Sequence, residues 1–188
     1  MTQKLVILSD MWGSKKGLWI TSYLGYLQQY YDIVFYDCQQ LANIDLKVNS
    51  AENIHRSFVE GGIDTAVAHL MKKETEPAHY LAFSVGGTIA WKANLLGLPM
   101  KSLYTVSSTR IREEQSSPDC KTTILFGETD LHKPKENWYT KLGVEAELVK
   151  GFGHELYTDD KNIQKICLDL LNAVTRESVT PKKNIKVA

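Results

Sequence analysis

Short continuous apolar runs alternate along this chain with longer stretches whose apolar residues recur every three or four positions. "KLVILSD" (Lys4 to Asp10) is an unbroken apolar run that predicts a buried strand, and "DIVFYDC" (Asp32 to Cys38) predicts a second, β-branched and aromatic strand. Between them Leu18, Tyr23, Tyr26, Leu27 and Tyr30 fall at helical spacing. Asn49 or Ser50 then caps a helix starting near Glu52, with Ile54, Phe58, Ile63, Val67 and Leu70 inward and Gly61-Gly62 as a break. "HYLAFS", "SLYTVSS", "TTILFGE" and "EAELVKGF" read as four further strands. The helix "GGTIAWKANLLG" follows the first of these and closes at Gly97. A short helix, "KPKENWYTKLG", precedes the last strand, with Pro134 in its first turn and Gly143 at its end. The final helix starts at Thr158 or Asp159, turns Ile163, Ile166, Cys167, Leu170 and Val174 inward and runs to Glu177. The polar, Lys-rich "SVTPKKNIKVA" after it reads as a loosely held tail beyond a domain spanning residues 1–177.

Unbroken apolar strands separated by amphipathic helices predict an α/β fold. It is a single three-layer domain, with a mostly parallel sheet of about six strands covered by helices on both faces. Right-handed crossovers put every strand's C-terminal end on one edge, and ligand sites in such sheets lie there.

Composition narrows the function classes. The 22 basic and 22 acidic residues cancel, so no global field favours nucleic acid or an anionic membrane. No apolar run approaches the ~20 residues of a membrane span. The N-terminal apolar run "LVIL" is shorter than the about 7–15 residues of a secretory leader. The cysteines Cys38, Cys120 and Cys167 are scattered and lack CxxC spacing, which argues against a disulfide framework or zinc site and for a cytoplasmic protein. Cys38 and Cys167 sit in apolar runs, as small core residues do.

What stands just after the strands carries chemistry. Ser84 follows the third strand, Asp130 the fifth in "GETDLH", and His154 the sixth in "GFGHELY". A serine hydroxyl becomes a useful nucleophile when a base takes its proton, and His154 is the candidate base. An imidazole base needs one tautomer held and its positive form balanced, and Asp130 supplies both. The chain order Ser, Asp, His is that of α/β-hydrolases and differs from both protease orders.

With these residues the chain resembles the α/β-hydrolase superfamily from Lys4 to about Thr175. The elbow motif G-x-S-x-G stands as Ala82-Phe83-Ser84-Val85-Gly86, with Ala for the first Gly. "FGETD" and "GFGH" also resemble the family. The resemblance implies an oxyanion hole made by the N–H of Val85 and one from the loop "SDMWGSKKG", where Met11 is the choice and Trp12 the alternative. The family's His-Gly in that loop is Ser9-Asp10 here, and a carboxylate pointing at the oxyanion would oppose catalysis. Only "TRIREEQSSPDCK" stands where a lid is often inserted, so the chain is similar to small, lidless serine hydrolases and carboxylesterases.

The expected activity is cleavage of a carboxylic ester or thioester through an acyl-serine, with no cofactor and no metal. The expected partner is a small-molecule substrate, free or carrier-bound, and neither nucleic acid nor membrane. The alternative is a hydrolase-fold binding protein without turnover, which Asp10 favours. Arg110 and Arg112 in "SSTRIREE" are candidates to clamp a substrate anion, against a plain solvated loop answering Glu113 and Glu114. Bland readings hold elsewhere: Glu128 as an outward or loop-accepting residue, Asp159 as a cap and His132 as solvated. His55, His69 and His79 read as structural, on the wrong edge or face.

Overall fold

The computed structural model describes residues 2–179. The tail expected from residue 178 onward lies almost wholly outside them, the last helix continuing to Val179. Six strands form a single sheet: β1 (Gln3–Leu8), β2 (Tyr31–Tyr36), β3 (Ala78–Phe83), β4 (Met100–Val106), β5 (Lys121–Gly127) and β6 (Ala146–Val149). Their spatial order is β2-β1-β3-β4-β5-β6, and every neighbouring pair is parallel.

The continuous apolar runs are explained by two separate cores. Leu5 and Ile7 of β1, Leu81 and Phe83 of β3 and Leu125 of β5 join a core with α1 (Ile20–Leu27) and α7 (Asp160–Val179). Val6, Leu8, Tyr80, Ala82 and Phe126 face the other way. They pack with α2 (Cys38–Leu41), α3 (Ala51–Ser57), α4 (Ile63–Lys73), α5 (Val85–Leu95) and α6 (Glu136–Leu142). Alternate residues of each strand thus serve opposite layers, which is why no polar alternation shows in the sequence.

Several local expectations are met with a stated cause. Ser50 is the cap of α3, its Oγ accepting from the Asn53 N–H at 3.2 Å. Asp159 caps α7, accepting from the N–H groups of Lys161 and Asn162. Gly61 (φ 128) lies in the π-helical turn Phe58–Gly62 that joins α3 to α4. Gly143 ends α6 in the left-handed region.

Others are corrected. In α1 the buried residues are Ile20, Tyr23 and Leu27, while Leu18, Tyr26 and Tyr30 are exposed. Leu18 precedes the helix and Tyr30 follows it, so helical periodicity does not govern either. Pro134 stands before α6 rather than in its first turn. The short α2 carries no long periodic signal; it is nucleated by Asp37, whose carboxylate accepts from the Gln39 and Gln40 N–H groups.

Consecutive strands run outward from β1 to β2 and then back across it to β3, so the order reverses between β1 and β3. The C-terminal ends of these two strands are where an open α/β sheet offers its crevice. Ser9-Asp10 leave β1 there, and Ser84 leaves β3.

Candidate active site

Ser84 sits between β3 and α5 at φ 49 and ψ −118, a conformation that costs a non-glycine residue roughly 1–3 kcal/mol. The surrounding backbone holds it there: its N–H donates to the Val106 carbonyl of β4 at 2.9 Å, and its carbonyl accepts from Gly87 N–H at 3.1 Å. The two glycines that follow are sterically required. A Cβ on Gly86 would collide with the Ser9 carbonyl oxygen, and one on Gly87 with the Ser108 hydroxyl. Ala82, by contrast, is fully buried and its methyl group is accommodated.

The tertiary fold brings the other two predicted residues to this turn. Ser84 Oγ lies 3.0 Å from His154 Nε2, and His154 Nδ1 lies 2.9 Å from Asp130 Oδ2. Asp130 Oδ1 accepts the His132 N–H at 2.8 Å. Burial would raise the Asp130 pKa, but the hydrogen bonds from His154 and from the His132 N–H outweigh it and hold the carboxyl below its ordinary value. An ionised Asp130 accepts only, so Nδ1 carries the proton and Nε2 is left to accept from the Ser84 hydroxyl. Glu128, the competing acid, points elsewhere and accepts from Gly151 N–H at 3.1 Å.

Asp10 is 4% exposed and lies within electrostatic reach of His154. Its Oδ1 accepts the Trp12 N–H at 2.9 Å, and its Oδ2 accepts the Tyr157 hydroxyl at 3.2 Å. Desolvation dominates and raises its pKa, although the Trp12 and Tyr157 bonds and the His154 charge favour the ion. Tyr157 therefore joins the loop after β1 to the loop after β6. Its ring packs on Trp19 (4.8 Å) and Phe83 (5.3 Å) and stands edge-on to His154 at 6.2 Å. Tyr157 was not read from the sequence. It lies three residues after His154 in "HELY", with nothing local to mark it.

Of the two loop donors considered for an oxyanion, Trp12 has its N–H committed to Asp10, and its ring is covered by Lys16 Nζ at 3.6 Å. The Met11 carbonyl accepts from Gln39 Nε2 at 2.7 Å, which fixes that peptide, while the described hydrogen bonds leave the Met11 and Val85 N–H groups uncommitted. Ser107 and Ser108, just past β4, are fully buried with unpartnered hydroxyls, and Ser107 has φ 52.

Arg110 is ion-paired with Glu113, so its guanidinium is occupied as the bland reading expects. Arg112 lies 3.8 Å from Glu113 and donates to the His132 carbonyl at 3.3 Å, at the rim of the site. His132 is largely exposed, its ring 5.4 Å from that of His154, and the partial desolvation on that side together with the His154 charge lowers its pKa. His69 bonds the Leu41 carbonyl, and His79 bonds Ser102 and Gln3, both away from it.

No protein-family model and no curated protein matches this sequence. Its fold, however, matches many solved structures. A predicted CIB-like hydrolase from Thermoplasma acidophilum is similar over 93% of this chain and 87% of its own, at 15% identity and a TM-score of 0.65. A putative dienelactone hydrolase from Klebsiella pneumoniae is similar over 91% and 85%, at 14% identity and 0.65. A structure reported for carboxylesterases of the thaumarchaeon Nitrososphaera gargenis is similar over 94% and 92%, at 12% identity and 0.63. With its parallel order, its reversal between β1 and β3 and these likenesses in shape, the chain belongs to the α/β-hydrolase fold.

Proposed function

We propose that this protein is a serine hydrolase that cleaves a small carboxylic ester or thioester through an acyl-serine intermediate. The observation that carries the reading is the unbroken line from Ser84 Oγ through His154 to Asp130, at 3.0 and 2.9 Å, with Ser84 on a strained turn. Strain of this kind persists where the surrounding structure enforces it, and it clusters at reacting groups.

In this reading Ser84 Oγ attacks the carbonyl carbon while its proton passes to His154 Nε2. The oxyanion is received by the N–H groups of Val85 and Met11. As the tetrahedral intermediate collapses, the C–O or C–S bond breaks and the His154 proton goes to the leaving alcohol or thiol. Water, deprotonated by His154, then releases the acid and regenerates Ser84. Asp130 stays ionised throughout and holds the Nδ1–H tautomer. The connection from β4 to β5 carries one short turn, Ile111–Glu113, and no lid, which suits small soluble substrates or an acyl group presented from outside.

A second reading, a hydrolase-fold binding protein without turnover, draws on one observation: the buried carboxyl of Asp10 in the loop that must receive the oxyanion. A fluorophosphonate probe separates the two. Wild type is expected to gain one covalent adduct on the peptide containing Ser84, and Ser84→Ala none, with circular dichroism unchanged. Folded wild type that does not label would leave only the binding reading. Ester hydrolysis by Ser84→Ala is expected to fall by at least about a thousandfold.

A further inference from the structure

Beside the Asp130 turn runs an open groove of about 440 Å³, within the size range of ligand pockets. Arg112, Lys133, Lys135 and Lys141 line it, Trp138 and Leu131 supply its apolar surface, and no acidic residue lines it. The chain as a whole is neutral, so this is a local concentration of positive charge.

Two of the nearby carboxylates are engaged outside the groove. Glu114 pairs with Lys92 at 3.0 Å, and Glu128 accepts from the Gly151 N–H. Glu113 answers both Arg110 and Arg112 with one charge. The polar partners the groove lysines do have are neutral: Lys133 donates to the Glu128 carbonyl oxygen at 2.6 Å and Lys141 to the Gln115 side chain. The Lys135 ammonium has no hydrogen bond or ion pair among the described residues, and its carbonyl accepts from the Trp138 N–H.

The groove neighbours the serine site through His132, whose ring stands 5.4 Å from that of His154. Lys133 and Lys135 lie on the same connection as Asp130, and Arg112 bonds the His132 carbonyl at 3.3 Å. We propose that this groove binds a phosphate group carried by the substrate, so that the ester or thioester bond is delivered to Ser84 from an anionic tether. Several converging cations suit a multiply charged anion better than a single carboxylate, and Arg112 offers a planar fork of donors to phosphate oxygens. Leu131, 96% exposed at the rim, offers apolar contact to whatever links phosphate to acyl group. The inference rests on the serine hydrolase reading for its chemistry, but the groove can be tested without it.

The test uses a matched pair, S-acetyl-pantetheine and S-acetyl-4′-phosphopantetheine, which differ only in the phosphate. Wild type is expected to prefer the phosphorylated thioester roughly tenfold in kcat/KM, mainly through KM, at low salt. In Lys135→Glu/Lys141→Glu, and for wild type in high salt, the ratio is expected to fall toward one. A wild-type ratio near one, or a ratio unmoved by the double substitution, overturns the proposal. If neither thioester is hydrolysed, the enzyme reading fails. Calorimetric titration with 4′-phosphopantetheine and pantetheine then decides the groove: binding of the phosphorylated compound alone, lost in the double variant, supports it, and equal or no binding overturns it. An acetylated phosphopantetheine carrier protein identifies the source: faster turnover than the free thioester assigns the tether to a carrier, slower turnover to a small molecule.

Discussion

At residue scale Asp10 is a buried carboxyl in the loop after β1, and both its oxygens have hydrogen-bond partners. Oδ1 closes a turn on Trp12 N–H, leaving Met11 N–H free, and Oδ2 holds Tyr157 against His154. A carboxyl whose pKa is raised by burial contributes stability that is full below its unfolded value of about 4 and is lost as pH rises through the raised folded value. The stability of Asp10→Asn relative to wild type is therefore expected to rise as pH goes from about 4 toward 8, read as the difference in Tm across that range. Asp130 has the opposite sign. Its lowered pKa gives stability that is present above about pH 4 and lost as pH falls through the folded value. The difference between wild type and Asp130→Asn should accordingly shrink in acid. Tyr157→Phe removes one hydrogen bond to a charged or buried acceptor. It is expected to cost about 1–3 kcal/mol in urea unfolding and to lower kcat for an ester more than it raises KM.

At the scale of elements, the Ser84 turn depends on how closely α5 crosses the sheet. Gly86 passes so near β1 that any side chain must displace the Ser9 carbonyl, part of the same loop that supplies Met11. Gly86→Ala is expected to destabilise by about 1–3 kcal/mol and to reduce fluorophosphonate labelling, because the Ser84 turn and the loop after β1 shift together. Gly61 gives a contrasting case: nothing lies near its missing Cβ, but its φ of 128 is unfavourable for alanine. Gly61→Ala should cost about 1–2 kcal/mol and leave labelling unchanged, since the α3–α4 junction is strained without moving Ser84. The elements were legible where their signal was local. β1, β3 and α7 were found from unbroken or periodic apolar runs, and α3 from its cap. The extent of α1 was misread because Leu18 and Tyr30 match a helical period without belonging to the helix.

For the whole molecule, the short β4–β5 connection and the neutral overall charge set the expected behaviour. Hydrolysis of a short neutral ester should show no jump in rate when substrate passes from solution to an interface, measured across its solubility limit. The sequence by itself determined the strands buried on both faces, the parallel sheet and the order Ser84, Asp130, His154 along its C-terminal edge. Those follow from hydrophobic period and from where a strand must end. Only the tertiary structure decided what meets across distant segments. It placed Ser84 Oγ 3.0 Å from His154, 70 residues away. It turned Asp10 toward Tyr157, 147 residues away, and so gave the buried carboxyl in the loop after β1 a second partner. It also gathered Arg112, Lys133, Lys135 and Lys141 into one groove while pairing Arg110 elsewhere. The physical reason is the same in each case: side-chain partnership depends on which loops the sheet order brings together, and hydrophobic periodicity carries no information about polar groups on loops.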